Sequence, residues 1–402
     1  MATPTRYLDR STPPHLSTLI LIAGLAALSM NIFLPSLPNM AAYFDVDYAV
    51  MQLSVALYLA AGALMQVIIG PLSDRYGRRQ ILLWSMALFV VATIGTLVAP
   101  NIEIFLICRT AQTVVGAGMV LSRAIARDMV DEAQAASMLG YLTMGMAVVP
   151  MVGPFIGGML DEAFGWKASF SMLLVVGLLV MALTWVDLGE TAPQRHTSFA
   201  AQFRDYPALF ASPRFWGYVL AASLTSGVFF AYLGGAPFVG SEIYGLSPTW
   251  LGIYFAFTAV GYILGNFISG RFSVRVGVNP MILHGTFITS AGLAALALLL
   301  ALDLAPAQVF FGFFFFVGLG NGMVLPNATA GMLSVRPHLA GTASGLGSAI
   351  MIGGGALLAG LAGTLLGPGS TAWPLLLIML TSSFLSIGAI AYVMHRARQV
   401  GA

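Results

Sequence analysis

Arg109 puts a guanidinium inside an apolar run, about seven positions into the stretch 102–126, with Phe105, Cys108, Val114 and Val115 around it. A cation at that depth in hydrocarbon costs at least about 2.5–3.5 kcal/mol, so it is expected to face a polar cavity or a partner. Its chemistry would be attraction of anionic or electron-rich groups, not bond making. Gln112 and Gly116 follow at roughly helical spacing and share its face. A buried arginine invites an acid that could carry a proton, yet of the fifteen Asp and Glu none falls clearly inside an apolar run. The nearest is Asp128, after Arg127 at the end of the same run, and with Arg123 it is the candidate route for a proton. Protonation of the substrate itself, or no coupling at all, are the alternatives. Asp45, Asp47, Glu103, Asp161, Glu162, Glu242 and Asp303 read as loop residues on the far side.

Two further clusters suggest mechanics. Gly70-Pro71-Leu72-Ser73-Asp74-Arg75-Tyr76-Gly77-Arg78-Arg79 is the densest charge in the chain. Gly70 and Pro71 are expected to end the incoming helix, since proline lacks the amide donor. Gly77 reads as a tight reversal, with Arg78 and Arg79 at the water surface. A plain solvated loop would satisfy the pattern; against it, Asp74 stands among arginines with glycines at both ends. The second cluster is Gly153, Pro154, Gly157 and Gly158, with Pro150 before it: small residues on one stripe let helices approach closely. Gly261 and Gly265, and Gly353 to Gly355, are the expected partner surfaces. Phe33, Tyr58, Tyr232, Phe257 and Tyr262 could supply a semi-polar wall for aromatic solutes. Asn321 and Asn327, as buried amides, need partners or a cavity. Phe310 to Phe316 reads as lipid-facing or packing. No zinc, nucleophile-elbow or phosphate-loop motif is present, so no enzyme, metal or cofactor is expected.

The elements that must hold these residues are membrane spans. Of 402 residues 58% are apolar and 8% charged, against about 25% charged for a soluble domain, and mean hydropathy is +0.90. Lipid must be the solvent for much of the chain. A net charge of +2 gives no argument for nucleic acid, and one cysteine allows no internal disulfide. Apolar runs fall near 17–38, 49–71, 80–99, 102–126, 136–160, 166–187, 214–238, 248–270, 279–302, 305–327, 340–366 and 372–394, each long enough to cross roughly 30 Å. The first is too long for a cleaved leader and reads as a retained span. Of the 17 Lys and Arg, all but Lys167 and the intramembrane Arg109 fall on the side of the termini, which predicts cytoplasmic termini. Residues 188–213 form the longest polar interval; Phe199, Phe203, Tyr206, Leu209 and Phe210 predict a short amphipathic helix there. It divides the chain into 1–187 and 214–402, which repeat faintly: Gly70, Ser73, Arg75 and Gly77 meet Gly270, Ser273, Arg275 and Gly277 at a shift of 200, and Gly116 to Leu121 meets Gly320 to Leu325 at 204. Parallel six-span repeats are one known transporter plan.

With the 70–79 loop, Arg109 with Gln112 and Gly116, Gly153-Pro154-Phe155-Ile156-Gly157-Gly158, the stretch Asn31 to Pro38 and Leu188-Gly189-Glu190-Thr191, the chain resembles the major facilitator superfamily. Within it, the resemblance is to bacterial drug:proton antiporters of the bicyclomycin and chloramphenicol resistance type. The resemblance implies an all-α membrane protein, twelve transmembrane helices in two pseudo-symmetric six-helix bundles. It implies that Asp74 meets the amino end of span eleven near Gly341, Thr342 and Ser344 when the cytoplasmic side is closed, and that the span-five element marks antiporters. It also exposes a departure: proton-coupled members carry an Asp where this chain has Asn31. A cavity with Arg109 and no facing acid would admit neutral or anionic molecules rather than lipophilic cations. The expected protein is a monomeric bacterial inner-membrane exporter of small amphipathic compounds, chloramphenicol-like, by alternating access and proton antiport. The alternative is an uncoupled or substrate-coupled carrier of an anionic metabolite; a transporter-like sensor would want a larger soluble part.

Overall fold

A computed structural model describes residues 6–129, 138, 142, 149, 152–191, 206–336 and 339–400. Among them, eleven helices are long and apolar enough to span a bilayer: α1 (Leu16–Phe44), α2 (Tyr48–Tyr76), α3 (Arg78–Leu97), α4 (Ile102–Ala126), α6 (Lys167–Asp187), α7 (Pro213–Ile243), α8 (Pro248–Val276), α9 (Val278–Ala301), α10 (Ala307–Val335), α11 (Ala340–Leu365) and α12 (Trp373–Val400). The remaining helix, α5, is described over 152–164. No strand occurs among the described residues, as expected where lipid offers the backbone no hydrogen-bond partner. Helices α1–α6 and α7–α12 make the two bundles. The expected amphipathic segment falls mostly on 192–205, outside the described residues; Tyr206–Phe210 is a short helix.

Each helix is apolar all round, so its orientation is legible only in which stripe is covered. On α3, Trp84, Leu88 and Val91 are exposed, while Leu82, Met86, Phe89 and Thr93 are buried; both sets follow the 3.6-residue period. The first faces lipid and the second faces the bundle. Helix α1 changes course at Leu34–Ser36, a 3-10 turn opened by Pro35.

The expected stop at Gly70 and Pro71 is corrected by the structure: α2 runs through Pro71 to Tyr76. Proline is tolerated inside a membrane helix, and beyond it the helical ladder continues, the Gly77 amide donating to the Ser73 carbonyl at 2.9 Å. The reversal comes at Gly77, with φ of 93°, and recurs at Gly277, with φ of 94°. That left-handed backbone favours glycine, and it explains why the faint internal repeat kept both.

The bundles meet along α2 and α11. Gly363 packs on Gln52, Gly360 on Ala56 and Gly353 on Ala63, an antiparallel register, whereas nothing fills the space beside Gly70 or Gly345. The two helices therefore touch toward the face opposite the termini and part toward the face that carries them.

Candidate functional site

Arg109 sits near the end of the α-helical part of α4, just before residues Gln112–Gly116 tighten into a 3-10 turn. In such a turn residues three apart eclipse. Arg109 is 1% exposed. Its Nη1 donates to Gln112 Oε1 at 2.8 Å and to Ser29 Oγ at 3.3 Å; Nη2 donates to the Ser29 carbonyl at 2.8 Å. Gln112 in turn donates to Thr93 Oγ1 at 2.8 Å. The guanidinium lies between two rings, 4.2 Å from Phe33 and 4.0 Å from Tyr58. Ring faces attract a desolvated cation by about 2 kcal/mol, so here aromatic faces and neutral oxygens stand where a carboxylate would. No acid lies within ion-pair distance: the described ion pairs are both made by Arg78.

Tyr58 does two jobs. One side of its ring covers Arg109; the side chain also lines a cavity of about 70 Å³ with Met30, Met65, Gln66, Thr113 and Met119, closed by Ile352 of α11. Arg109 is one layer behind that wall. Phe33, Tyr58, Arg109 and Gln112 thus converge in the first bundle. Asn31 lies beside them, but its amide donates to the Ala27 carbonyl at 2.8 Å, within its own helix.

The second-bundle candidates are dispersed. Tyr232 is fully buried, its ring centroid 4.1 Å from Phe314 and 5.0 Å from Phe255. Asn321 donates to the Thr225 and Val317 carbonyls, and Asn327 to Ser269 Oγ and the Met323 carbonyl. Phe257 is exposed on α8. Half-buried Tyr262 is within electrostatic reach of Arg123, whose side chain is exposed between the bundles' ends. Phe310, Phe311 and Phe314 are fully buried packing residues. Gly261 and Gly265 pack on α10, not on α5; Gly353 to Gly355 pack on α2 and α7.

On the face bearing the termini, the 70–79 loop is tied to its own bundle. Arg78 Nε is 2.6 Å from Asp128 Oδ2, and Arg78 Nη2 is 3.6 Å from Asp74 Oδ1. The Arg78 amide donates to Glu190 Oε1 at 2.8 Å, and Arg79 donates to the Leu188 and Trp185 carbonyls. Arg75 lies over the Tyr76 ring. Arg78 is largely buried rather than at the water surface. Asp128 therefore belongs to this loop and not to the Arg109 cluster. The surroundings of Gly341, the Arg127 side chain and all of Pro150 lie outside the described residues.

The opposite face is closed across the bundles. Tyr48 donates to the Gly234 carbonyl at 2.6 Å, and Gln52 to the Ala359 carbonyl at 2.8 Å. Gly157 packs on Ile32 within the first bundle, while Gly158 packs on Pro248 and Gly252 on Pro154 and Phe155, between bundles. The α5 stripe is thus the mechanical surface its spacing suggests, with α1 on one side and the start of α8 on the other. Glu162 Oε1 accepts from the Thr249 amide at 3.1 Å, capping the first turn of α8, whose own Ser247 makes no cap. The Ser247 hydroxyl and that amide hold the Glu162 carboxyl below its ordinary range. Asp161, next to it, is no loop residue: it lies on α5, 5% exposed, with Asn39 Nδ2 at 2.6 Å. Burial pushes its carboxyl up, against hydrogen bonding from Asn39 and Ser36.

Sequence reasoning also missed Asp187, fully buried, which accepts from the Leu8 and His15 amides and from Thr18 Oγ1. The only trace of Asp161 and Asp187 in the sequence was an acid flanking a span.

The Major Facilitator Superfamily family model matches residues 19–357. A chloramphenicol resistance protein of Pseudomonas aeruginosa is 30% identical, over 90% of this chain and 87% of its own. A bicyclomycin resistance protein homolog of Haemophilus influenzae is 29% identical, over 96% and 98%. Among solved structures, the nucleoside transporter NupG superposes with a TM-score of 0.76 at 13% identity, over 94% of this chain and 99% of that one.

Proposed function

The chain belongs to the major facilitator superfamily, and on that premise we propose that it exports small amphipathic, neutral or anionic compounds by alternating access coupled to protons. The observation that carries the substrate class is the buried Arg109 cation, held by rings and neutral oxygens with no acid in ion-pair reach. Its uncompensated field extends through the Tyr58 wall into the space between bundles. There it repels cations and favours anions and polarisable neutral solutes. The named drug-resistance relatives support efflux and make chloramphenicol the first compound to try.

In this reading Tyr58 lines the substrate space with Asn31, Phe33, Arg109 and Gln112 behind it, and Tyr232, Phe257, Tyr262, Asn321 and Asn327, dispersed over the second bundle, are the opposing candidates. The first and second bundles span 1–187 and 214–402, joined by a cytoplasmic linker at 188–213, and both termini face the cytoplasm because the Lys and Arg bias lies on their side. The closed face is then the external one. Gly70, Asp74, Arg75, Gly77, Arg78, Arg79, Gly153, Pro154, Gly157 and Gly158 serve opening and closing. Asp128 with Arg123 is the proton candidate at the cytoplasmic end.

Proteoliposomes with an imposed pH gradient and labelled chloramphenicol test this. The native protein is expected to accumulate drug against its gradient and Asp128→Asn to lose the drive; Asn31→Asp is expected to admit lipophilic cations. Equilibration without accumulation would leave an uncoupled carrier, which the missing acid at Arg109 would suit. No movement of drug at all would refute the export reading.

A further inference from the structure

We propose that Asp161 is a proton-binding site of the external gate, and that closing this gate takes up a proton from the external medium. This rests on the export reading only for the identity of the external face. Among the described residues two carboxylates are buried, Asp161 and Asp187. Asp187 is satisfied as an anion by two backbone amides and a hydroxyl. Asp161 has one strong donor, the Asn39 amide, and no cation within 4 Å. Its second polar neighbour is the fully buried Ser36 hydroxyl. A neutral carboxyl fits this setting: Oδ2 accepts from Asn39, and a proton on the other oxygen can be donated to the Ser36 hydroxyl. A carboxylate without a cation does not fit, because a buried anion must be paired or well hydrogen-bonded.

The place ties this site to the gate. The next residue, Glu162, holds the amide of Thr249 on the other bundle, and Gly158, one turn earlier, packs on Pro248. Ser36 belongs to the 3-10 turn of α1, which touches both α7 and α8. Separating the bundles here uncovers the seam beside Asp161 and lets water reach it.

The groups facing Asp161 are few. From α1 come Asn39 and Ser36, both neutral; from its own helix comes Glu162, a like charge. Lys167, beyond the α5–α6 turn, is placed over the rings of Tyr43 and Trp166. Burial and Glu162 both raise the proton affinity of the closed state above that of a solvated aspartate. The closed gate therefore binds more protons than the open one, and acid drives closure through the window between the two affinities. Glu162, held low by its cap, titrates below that window.

The test uses full-length protein in nanodiscs with spin labels at Glu103→Cys and Asp303→Cys in a Cys108→Ser background, distances being read from pH 8 to pH 5. The native chain should shift toward the short, closed distance as pH falls. Asp161→Asn, a permanent mimic of the neutral acid, should be closed throughout with no pH response. Asn39→Ala, which removes the donor favouring the charged form, should move the midpoint up by about one pH unit and so shows the site in a folded, responsive protein. A native chain without pH response, or Asp161→Asn with the native response, would overturn the proposal. Drug uptake in parallel separates the two claims: failed transport with an intact Asp161-dependent closure sinks only the export reading.

Discussion

The Tyr58 ring lies 4.0 Å from the Arg109 guanidinium and, with Met65 and Thr113, walls a cavity of the first bundle that Ile352 of α11 borders. One side chain thus stands between a buried charge and that cavity.

Removing that charge should separate function from stability. Breaking a buried pair is costly because a charge is stranded, but Arg109 has no counter-charge to strand. Arg109→Met is expected to leave the unfolding free energy of purified protein within about 1 kcal/mol of native, since lost cation–π and hydrogen bonds are offset by the avoided desolvation, while drug transport falls at least tenfold. Tyr58→Phe should keep transport and Tyr58→Leu should weaken substrate affinity about fivefold or more, by loss of one ring face worth about 1–2 kcal/mol. A large loss of stability in Arg109→Met would make the residue a structural strut instead.

Two neighbouring glycines should fail differently. A Cβ at Gly157 would run into the Ile32 carbonyl within one bundle, whereas one at Gly158 would run into the Pro248 carbonyl of the other. Overpacking costs about 1–3 kcal/mol. Gly157→Ala is expected to lower the melting temperature in both conformers. Gly158→Ala should instead hold the gate open at normal folding yield, seen as increased alkylation of a cysteine placed at Gln52. Equal effects on melting would argue against the separation.

Asp74→Asn should leave stability nearly unchanged, because its pairing with Arg78 is at 3.6 Å and Asp74 is 41% exposed, and exposed pairs are worth about 0–1 kcal/mol. Transport is expected to slow several-fold with substrate affinity intact, through loss of a contact with the amino end of α11 made when that face closes. Equilibrium binding and uptake rates measured on one preparation check this; a large affinity loss would sink the gating role.

Glu162→Gln should weaken external closure by about two- to fivefold in population, the worth of about 0.3–1 kcal/mol for a carboxylate at an exposed helix amino end. The pH sense is opposite to that of Asp161. With its carboxyl held low in the closed gate, Glu162 favours closure above its solvated value, and that contribution fades as pH falls through its lowered one. Spin-label distances below pH 5 should therefore show native closure declining, and the decline should vanish in Glu162→Gln.

Much of this was legible in the chain, because lipid leaves few options. Twelve apolar runs, a one-sided Lys and Arg distribution and repeated glycines at 77 and 277 point to paired helical bundles without any packing knowledge. The glycine stripe of α5 was legible as a contact surface, but its partner was not. Close approach needs small residues on both helices, and glycines were plentiful enough that Gly261 and Gly265 looked as suitable as Gly252. Pro71 reads as a stop when its missing amide donor is weighed alone; a membrane helix carries an internal proline, and α2 runs on to Tyr76.

The residue types alone place a cation inside an apolar run at Arg109, from which its head could reach water only by strained snorkelling. They could not settle what answers it, because rings at 33 and 58 and oxygens at 29 and 112 are brought together only by three separate helices. The same holds for Asp161. Its position after an apolar run suggests water, and only the kinked end of α1 folding over it makes it a buried acid. Helix formation is a local consequence of an apolar chain in lipid, whereas burial of a particular charge depends on which distant segments cover it.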